Sequence, residues 1–156
     1  MTAPLRLVVR RRELHPPAAA RRSVEISVRV PTDLTVVEET VDLVARHCLA
    51  SGITPRVARF VVRVALCEAL ANAIQYGNRL DPGKNVDVRV QVDDDALQVF
   101  VNDEGEGFDP TEVPDPTDPG RVDLEQGRGL YLIRQLMDEV RFNARGNSIC
   151  MIIRRT

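Results

Sequence analysis

The stretch from Val64 to Asn78, VALCEALANAIQYGN, limits the fold more than any other part of the chain. With Val61 added, its apolar positions Val61, Val64, Ala65, Leu66, Ala69, Leu70, Ala73 and Ile74 form one broad face of a helix. Such a helix is stable only when packed on several sides, so the rest of the chain has to be built around it. Two polar residues, Glu68 and Asn72, interrupt the apolar run. Four residues apart, they share a face one turn from each other. A carboxylate and an amide on a mostly buried helix cost free energy unless they are paired. Two readings fit. Backbone groups or water satisfy the pair, or the pair is a site in which Glu68 is a base and Asn72 a ligand to metal or phosphate.

The chain's 156 residues are enough for one domain with one hydrophobic core. A net charge of -2 shows no bias toward nucleic acid, and no apolar run of about 18 residues is present to span a membrane. The basic N-terminus has no apolar run or cleavage site of a secretory signal. Cys48, Cys67 and Cys150 lie in apolar stretches outside any CxxC pair. They are expected to be buried thiols in a reducing, cytoplasmic setting. His15 and His47 join no zinc-ligand pattern.

Residues 1–22, rich in Pro, Ala and Arg, are expected to be a flexible basic tail, in which Leu5–Val9 can make a short strand, with an arm that docks on an acidic partner as the alternative. Residues 23–156 make the domain. Ser23 to Val30 alternates as a half-buried strand. Thr32 or Asp33 caps a helix to about Ala50, which Ser51-Gly52 stops. Thr54 and Pro55 open the central helix, which ends at Gly77-Asn78. After the turn at Asp81–Lys84, strands at Val86–Val92 and Leu97–Val101 flank an Asp93-Asp94-Asp95 turn. A long proline-rich, acidic loop follows, closed by Gly127-Arg128-Gly129 ahead of a helix over Leu130 to Asp138. Strands at Val140–Ala144 and Ser148–Ile153 end the chain. This order predicts an α+β sandwich, with helices on one face of a mostly antiparallel sheet.

Glycine pairs flank the long loop, with Gly105 and Gly107 after a strand and Gly127 and Gly129 before a helix. The first pair lets backbone approach a ligand, and the second presents helix N–H groups suited to phosphate. Asp103, at a strand end, has the chemistry to accept a hydrogen bond from an amine such as that of adenine, or to cap the glycine turn. Neither a P-loop nor a dinucleotide fingerprint occurs.

Glu68-x-x-x-Asn72-Ala73, Asp103-x-Gly105-x-Gly107-Phe108 and Gly127-x-Gly129-Leu130, in that order, resemble the asparagine box and two glycine boxes of the GHKL ATPase superfamily. Gly129–Ile133 and Leu136–Val140 are similar to the anti-sigma factor serine kinases of the RsbW and SpoIIAB type. The resemblance covers about Val24 to Arg154 and implies a Bergerat-type two-layer sandwich with an ATP lid from about Phe108 to Gln126.

By position it implies ATP and Mg²⁺ as cofactors. Asn72 would hold Mg²⁺, and Asp103 the adenine amine, aided by a water and the Ser148 hydroxyl. Gly105, Gly107 and Phe108 would border the base. Gly127, Arg128, Gly129 and Leu130 would meet the phosphates, and Glu68 would activate the attacking hydroxyl. Gln75 stands where many members carry a basic residue, leaving phosphate charge to Arg128, Arg121 or Mg²⁺. The first helix is acidic early (Glu38, Glu39, Asp42), and Arg46 is its only arginine, so the partner surface can differ from that of known members.

The implied function is an ATP-dependent serine/threonine kinase that sequesters a sigma factor and phosphorylates a STAS-domain anti-anti-sigma protein. It would be a cytoplasmic homodimer with no direct nucleic-acid or membrane contact. The alternatives are a nucleotide-binding module that only holds its partner, and a partner-switching kinase with a target other than sigma.

Overall fold

A computed structural model describes residues 8–14, 23–107 and 125–155. The elements run β1 (Val8–Leu14), β2 (Ser23–Pro31), α1 (Val37–Ala50), α2 (Val62–Asn72), β3 (Asn85–Val92), β4 (Ala96–Asn102), α3 (Glu125–Leu136), β5 (Glu139–Phe142) and β6 (Ser148–Arg154). A six-stranded sheet has the order β1-β2-β3-β4-β6-β5, every neighbouring pair antiparallel.

The alternation read in the sequence becomes register. Val28, Val88, Val101 and Ile149 lie side by side across four strands, as do Ile26, Val90, Val99 and Met151. These rows face the helices and form one core with Leu66, Leu70 and Ile74 of the central helix and Val41 and Val44 of α1. The opposite sheet face is polar. It carries the Arg29–Asp87 pair at 3.3 Å, and Arg89 lies 4.2 Å above the Phe100 ring. The helices thus segregate to one face, as expected of an α+β sandwich.

The central helix is longer than α2 alone. A π-turn at Val57–Val61 precedes α2, and a second at Ala73–Gly77 follows it, with helical backbone throughout from Pro55 to Gly77. Thr54 Oγ1 accepts from the Val57 N–H at 3.4 Å, as a cap should. Asp33 is the cap ahead of α1, its carboxylate accepting from the Thr35 N–H at 2.8 Å.

Three expectations need correction. Val8–Leu14, assigned to the basic tail, is a strand paired with β2 from Val8↔Arg29 to Leu14↔Ser23. Backbone pairing at a sheet edge needs few apolar side chains, and edge strands tolerate charge such as Arg10-Arg11-Arg12. The other tail residues lie outside the described set. Cys67 is exposed rather than buried, because it sits on the outer side of α2, while Cys48 is buried in the core and Cys150 half-buried. Finally, Gly127 and Gly129 lie inside α3 and not ahead of it. Packing of α3 on α2 overrides the ~1 kcal/mol helix penalty of each glycine. Among the described residues, no helix is long and apolar enough to cross a membrane.

Candidate functional site: a cleft between the central helix and the last hairpin

The second π-turn ends the central helix beside the end of β4. There the Asn78 N–H bonds the Ala73 carbonyl at 2.7 Å and the Leu80 N–H bonds that of Ile74 at 2.9 Å. Two left-handed residues, Arg79 (φ 52°) and Leu80 (φ 59°), then turn the chain away. Local π-turns and left-handed non-glycine residues of this kind concentrate at functional sites.

Gly77, the last residue of that turn, faces Asp103 at the end of β4. A Cβ on Gly77 would collide with the Asp103 carboxylate. Gly105 packs as tightly on the Gly77 carbonyl, and Gly107, with φ +84°, on the Arg145 carbonyl. Both Gly105 and Gly107 are therefore needed for close backbone approach. Asp103 Oδ1 accepts from the Gly105 N–H at 2.8 Å, and the Asp103 N–H donates to the Asn147 carbonyl at 2.9 Å. Burial pushes the Asp103 carboxyl above its ordinary value, although the Gly105 N–H and the charges of Lys84 and Arg145 pull it down.

These groups border a cleft that opens to solvent. Asn72, Gly77, Asp103, Gly107, Leu130 and Ser148 all line it. The Ser148 hydroxyl donates to Asn102 Oδ1.

At the opposite end, α3 crosses the face of α2 that carries Glu68 and Asn72. A Cβ on Gly129 would lie 2.8 Å from Glu68 Oε2 and 3.3 Å from Asn72 Nδ2. Gly129 therefore permits close helix packing over that polar pair, a role different from the free N–H expected of it. Glu68 and Asn72 are half-buried, which keeps the carboxylate hydrated and within reach of an incoming group.

A profile of the family described as histidine kinase-like ATPase domain matches residues 30–153. The chain belongs to the histidine kinase-like ATPase family. Among curated relatives, the serine-protein kinase RsbW of Bacillus subtilis (strain 168) is 38% identical over 97 residues, covering 58% of this chain and 61% of that protein. RsbW of Bacillus licheniformis is 38% identical over 86 residues, 51% and 54% of the two chains. The anti-sigma F factor of Geobacillus stearothermophilus is 33% identical over 81 residues, 51% and 56%. The chain thus spans little more than half the length of the curated relatives it matches.

In this histidine kinase-like ATPase domain, the expected site residues fall into three groups. Asn72, Asp103, Gly107, Leu130 and Ser148 meet at the cleft, and Gly105 supports it from behind. Glu68 lies beside Asn72 under Gly129, outside the cleft lining. Arg128 is exposed and is absent from the lining. Phe108, Arg121 and the lid through residue 124 lie outside the described residues. Sequence reasoning missed Gly77, Arg79 and Asn147 as parts of the site. The Gly77-Asn78 pair was visible only as a helix end, and Asn147 only as a hairpin turn.

The fit to a nucleotide and metal rests on the donors present. Asp103 at the glycine-lined end suits an amine donor, and no Cβ on Gly77 or Gly105 obstructs it. Among the described residues no group of three or more His, Cys, Asp and Glu is placed to hold a metal. One amide oxygen from Asn72 matches the way Mg²⁺ is commonly held, by few protein ligands, water and phosphate oxygens.

Proposed function

We propose that this chain is an ATP-dependent protein serine/threonine kinase that also acts as an anti-sigma factor. It would phosphorylate a STAS-domain anti-anti-sigma protein and retain or release a sigma factor according to the partner it holds. The observation that carries the reading is the separation of two chemistries along one cleft. Asp103, backed by Gly77 and Gly105, offers an acceptor for an amine in the cleft, Asn72 lines the same cleft, and Glu68 lies beside Asn72 just outside the lining. The RsbW and anti-sigma F names of the relatives support the same reading.

In this mechanism Asp103 fixes the adenine amine, and the backbone near Gly105 and Gly107 lies along the base. Asn72 would hold Mg²⁺ through its amide oxygen, and the ion would neutralise charge on the phosphates. Glu68, one helical turn from Asn72, takes the proton of the attacking hydroxyl as it approaches the γ-phosphorus. Phosphoryl transfer needs mainly positioning and charge neutralisation, so one well-placed carboxylate is sufficient as the base. The protein would work in the cytoplasm as a homodimer.

Replacing Glu68 with Gln is the test. The variant should bind ATP with near wild-type affinity and lose phosphoryl transfer by about 10²- to 10⁴-fold, the usual contribution of a general base. Undiminished transfer would remove Glu68 from the mechanism. Binding of ATP without transfer to any STAS-domain protein, even in the wild type, would favour a module that only sequesters its partner.

A further inference from the structure

Asn78 is fully buried, and every polar group of its side chain is used. Nδ2 donates to Thr32 Oγ1 and to the Asn85 carbonyl, each at 3.0 Å, and Oδ1 accepts from the Glu104 N–H at 2.8 Å. Its backbone carbonyl accepts from the Asp81 N–H at 3.0 Å. Two partners extend the network. The Thr32 hydroxyl donates to the Lys84 carbonyl at 2.6 Å, and Glu104 Oε2 accepts from the Asn85 N–H at 2.5 Å. One side chain thus ties together the end of β2, the end of the central helix, the start of β3 and the turn after β4.

That turn is where Asp103 sits. Glu104 is its immediate neighbour, and the Gly105 N–H holds the Asp103 carboxylate. Gly77, the residue before Asn78, is the one against which the carboxylate rests. Asn78 therefore controls both sides of the contact. It closes the helix that presents Gly77, and it holds the peptide that follows Asp103. A mainly structural role would need only the bonds to Thr32 and Asn85. The bond to Glu104 holds the peptide next to Asp103, which lines the cleft.

We propose that Asn78 is a positioning residue for base selectivity, fixing Asp103 so that the cleft prefers a purine bearing an exocyclic amine. This rests on the nucleotide reading of the cleft given above. The chemistry being selected is a donor at the purine 6-position. A carbonyl there meets the Asp103 carboxylate with no proton to share, and a site built around a hydrogen bond rejects the analogue that lacks it.

The test compares dissociation constants for ATP and for inosine triphosphate, which has a carbonyl in place of the amine, both with Mg²⁺. The wild type, Asn78→Ala and Thr32→Val are measured on the full chain. Thr32→Val breaks the network away from the cleft and leaves the Asn78–Glu104 bond intact. Both variants should lose thermal stability. Only Asn78→Ala should lose base preference, with the ratio of the two constants falling by about tenfold or more, a change a general loosening of the fold does not produce.

An unchanged ratio in Asn78→Ala overturns the proposal, and so does an equal loss in Thr32→Val. A wild type that binds neither nucleotide overturns the site reading itself, a result distinct from either of these. If Asn78→Ala does not fold, amide hydrogen exchange on the wild type decides. The Glu104 N–H should be protected to the level of amides in β3 and β4. Exchange within about tenfold of an open loop amide would show that Asn78 does not hold it.

Discussion

Gly129→Ala sets stability and chemistry in opposition. Within a helix, alanine in place of glycine is favourable by ~1 kcal/mol. The new methyl would lie 2.8 Å from Glu68 Oε2, closer than carbon and oxygen tolerate, and 3.3 Å from Asn72 Nδ2. The atom in the way is the end of a flexible side chain, so the carboxylate swings aside at small cost. The expected net change is between about zero and +1 kcal/mol, a melting temperature raised by up to ~4 °C for a domain of this size. If Glu68 is the base proposed above, catalysis responds in the other direction. Displacing a base by about an ångström costs on the order of 10²-fold in rate, because proton transfer depends on hydrogen-bond geometry. The assay is single-turnover phosphoryl transfer to the STAS-domain partner proposed above, with ATP affinity and melting temperature measured on the same preparation. A variant that is as stable as expected and transfers at the wild-type rate would refute the idea that Gly129 exists to make room for Glu68.

Other outcomes can be stated more briefly. In Gly105→Ala the added methyl runs into the Gly77 backbone carbonyl, which cannot swing aside, so a loss of about 1–3 kcal/mol and weakened ATP binding are expected in melting and titration experiments. Asp103 has its carboxyl raised by burial, so the folded state binds a proton more readily than the unfolded chain and its ionised form opposes folding. Asp103→Asn should therefore raise the melting temperature at neutral pH, and the gain should vanish as pH falls to the ordinary carboxylate value; a gain constant with pH would contradict this. ATP affinity should likewise fall on acidification through the raised value, because a protonated Asp103 accepts the amine poorly. Cys67 should react with an alkylating reagent in the folded protein, and Cys48, buried with its thiol pushed up to about 12, only on unfolding. Mass spectrometry of the labelled protein distinguishes the two, and equal rates would contradict the burial described.

What could be read from the chain depended on how local the determining forces are. The strands from β2 to β4 and the central helix follow from periodicity, because each buries one face against a common core. Asn72 and Asp103 are legible as a pair only through their order along the chain with the glycines. β1 is hidden because its pairing relies on backbone bonds rather than on a hydrophobic stripe. The position of Gly129 inside α3 is hidden for a related reason. Its tolerance there comes from a helix 60 residues earlier, packed across it. Asn78 looks like an ordinary helix terminator, and its three side-chain partners come from three other segments of the chain.

The strand order has a consequence for how the protein is made. β6 lies between β4 and β5, and the Asn147 carbonyl just before it holds the Asp103 N–H. A growing chain that has released Glu68, Asn72 and Asp103 from the ribosome still lacks the wall against which Asp103 is held. Pairing of β6 with β4 is a distant contact, and distant contacts form late because a long loop must close first. On the nucleotide reading, capture would thereby wait until β6 has been made, and from then on bound ligand would weight the equilibrium toward the completed fold. Chains that lack β6 would then draw nothing from the cell's nucleotide pool.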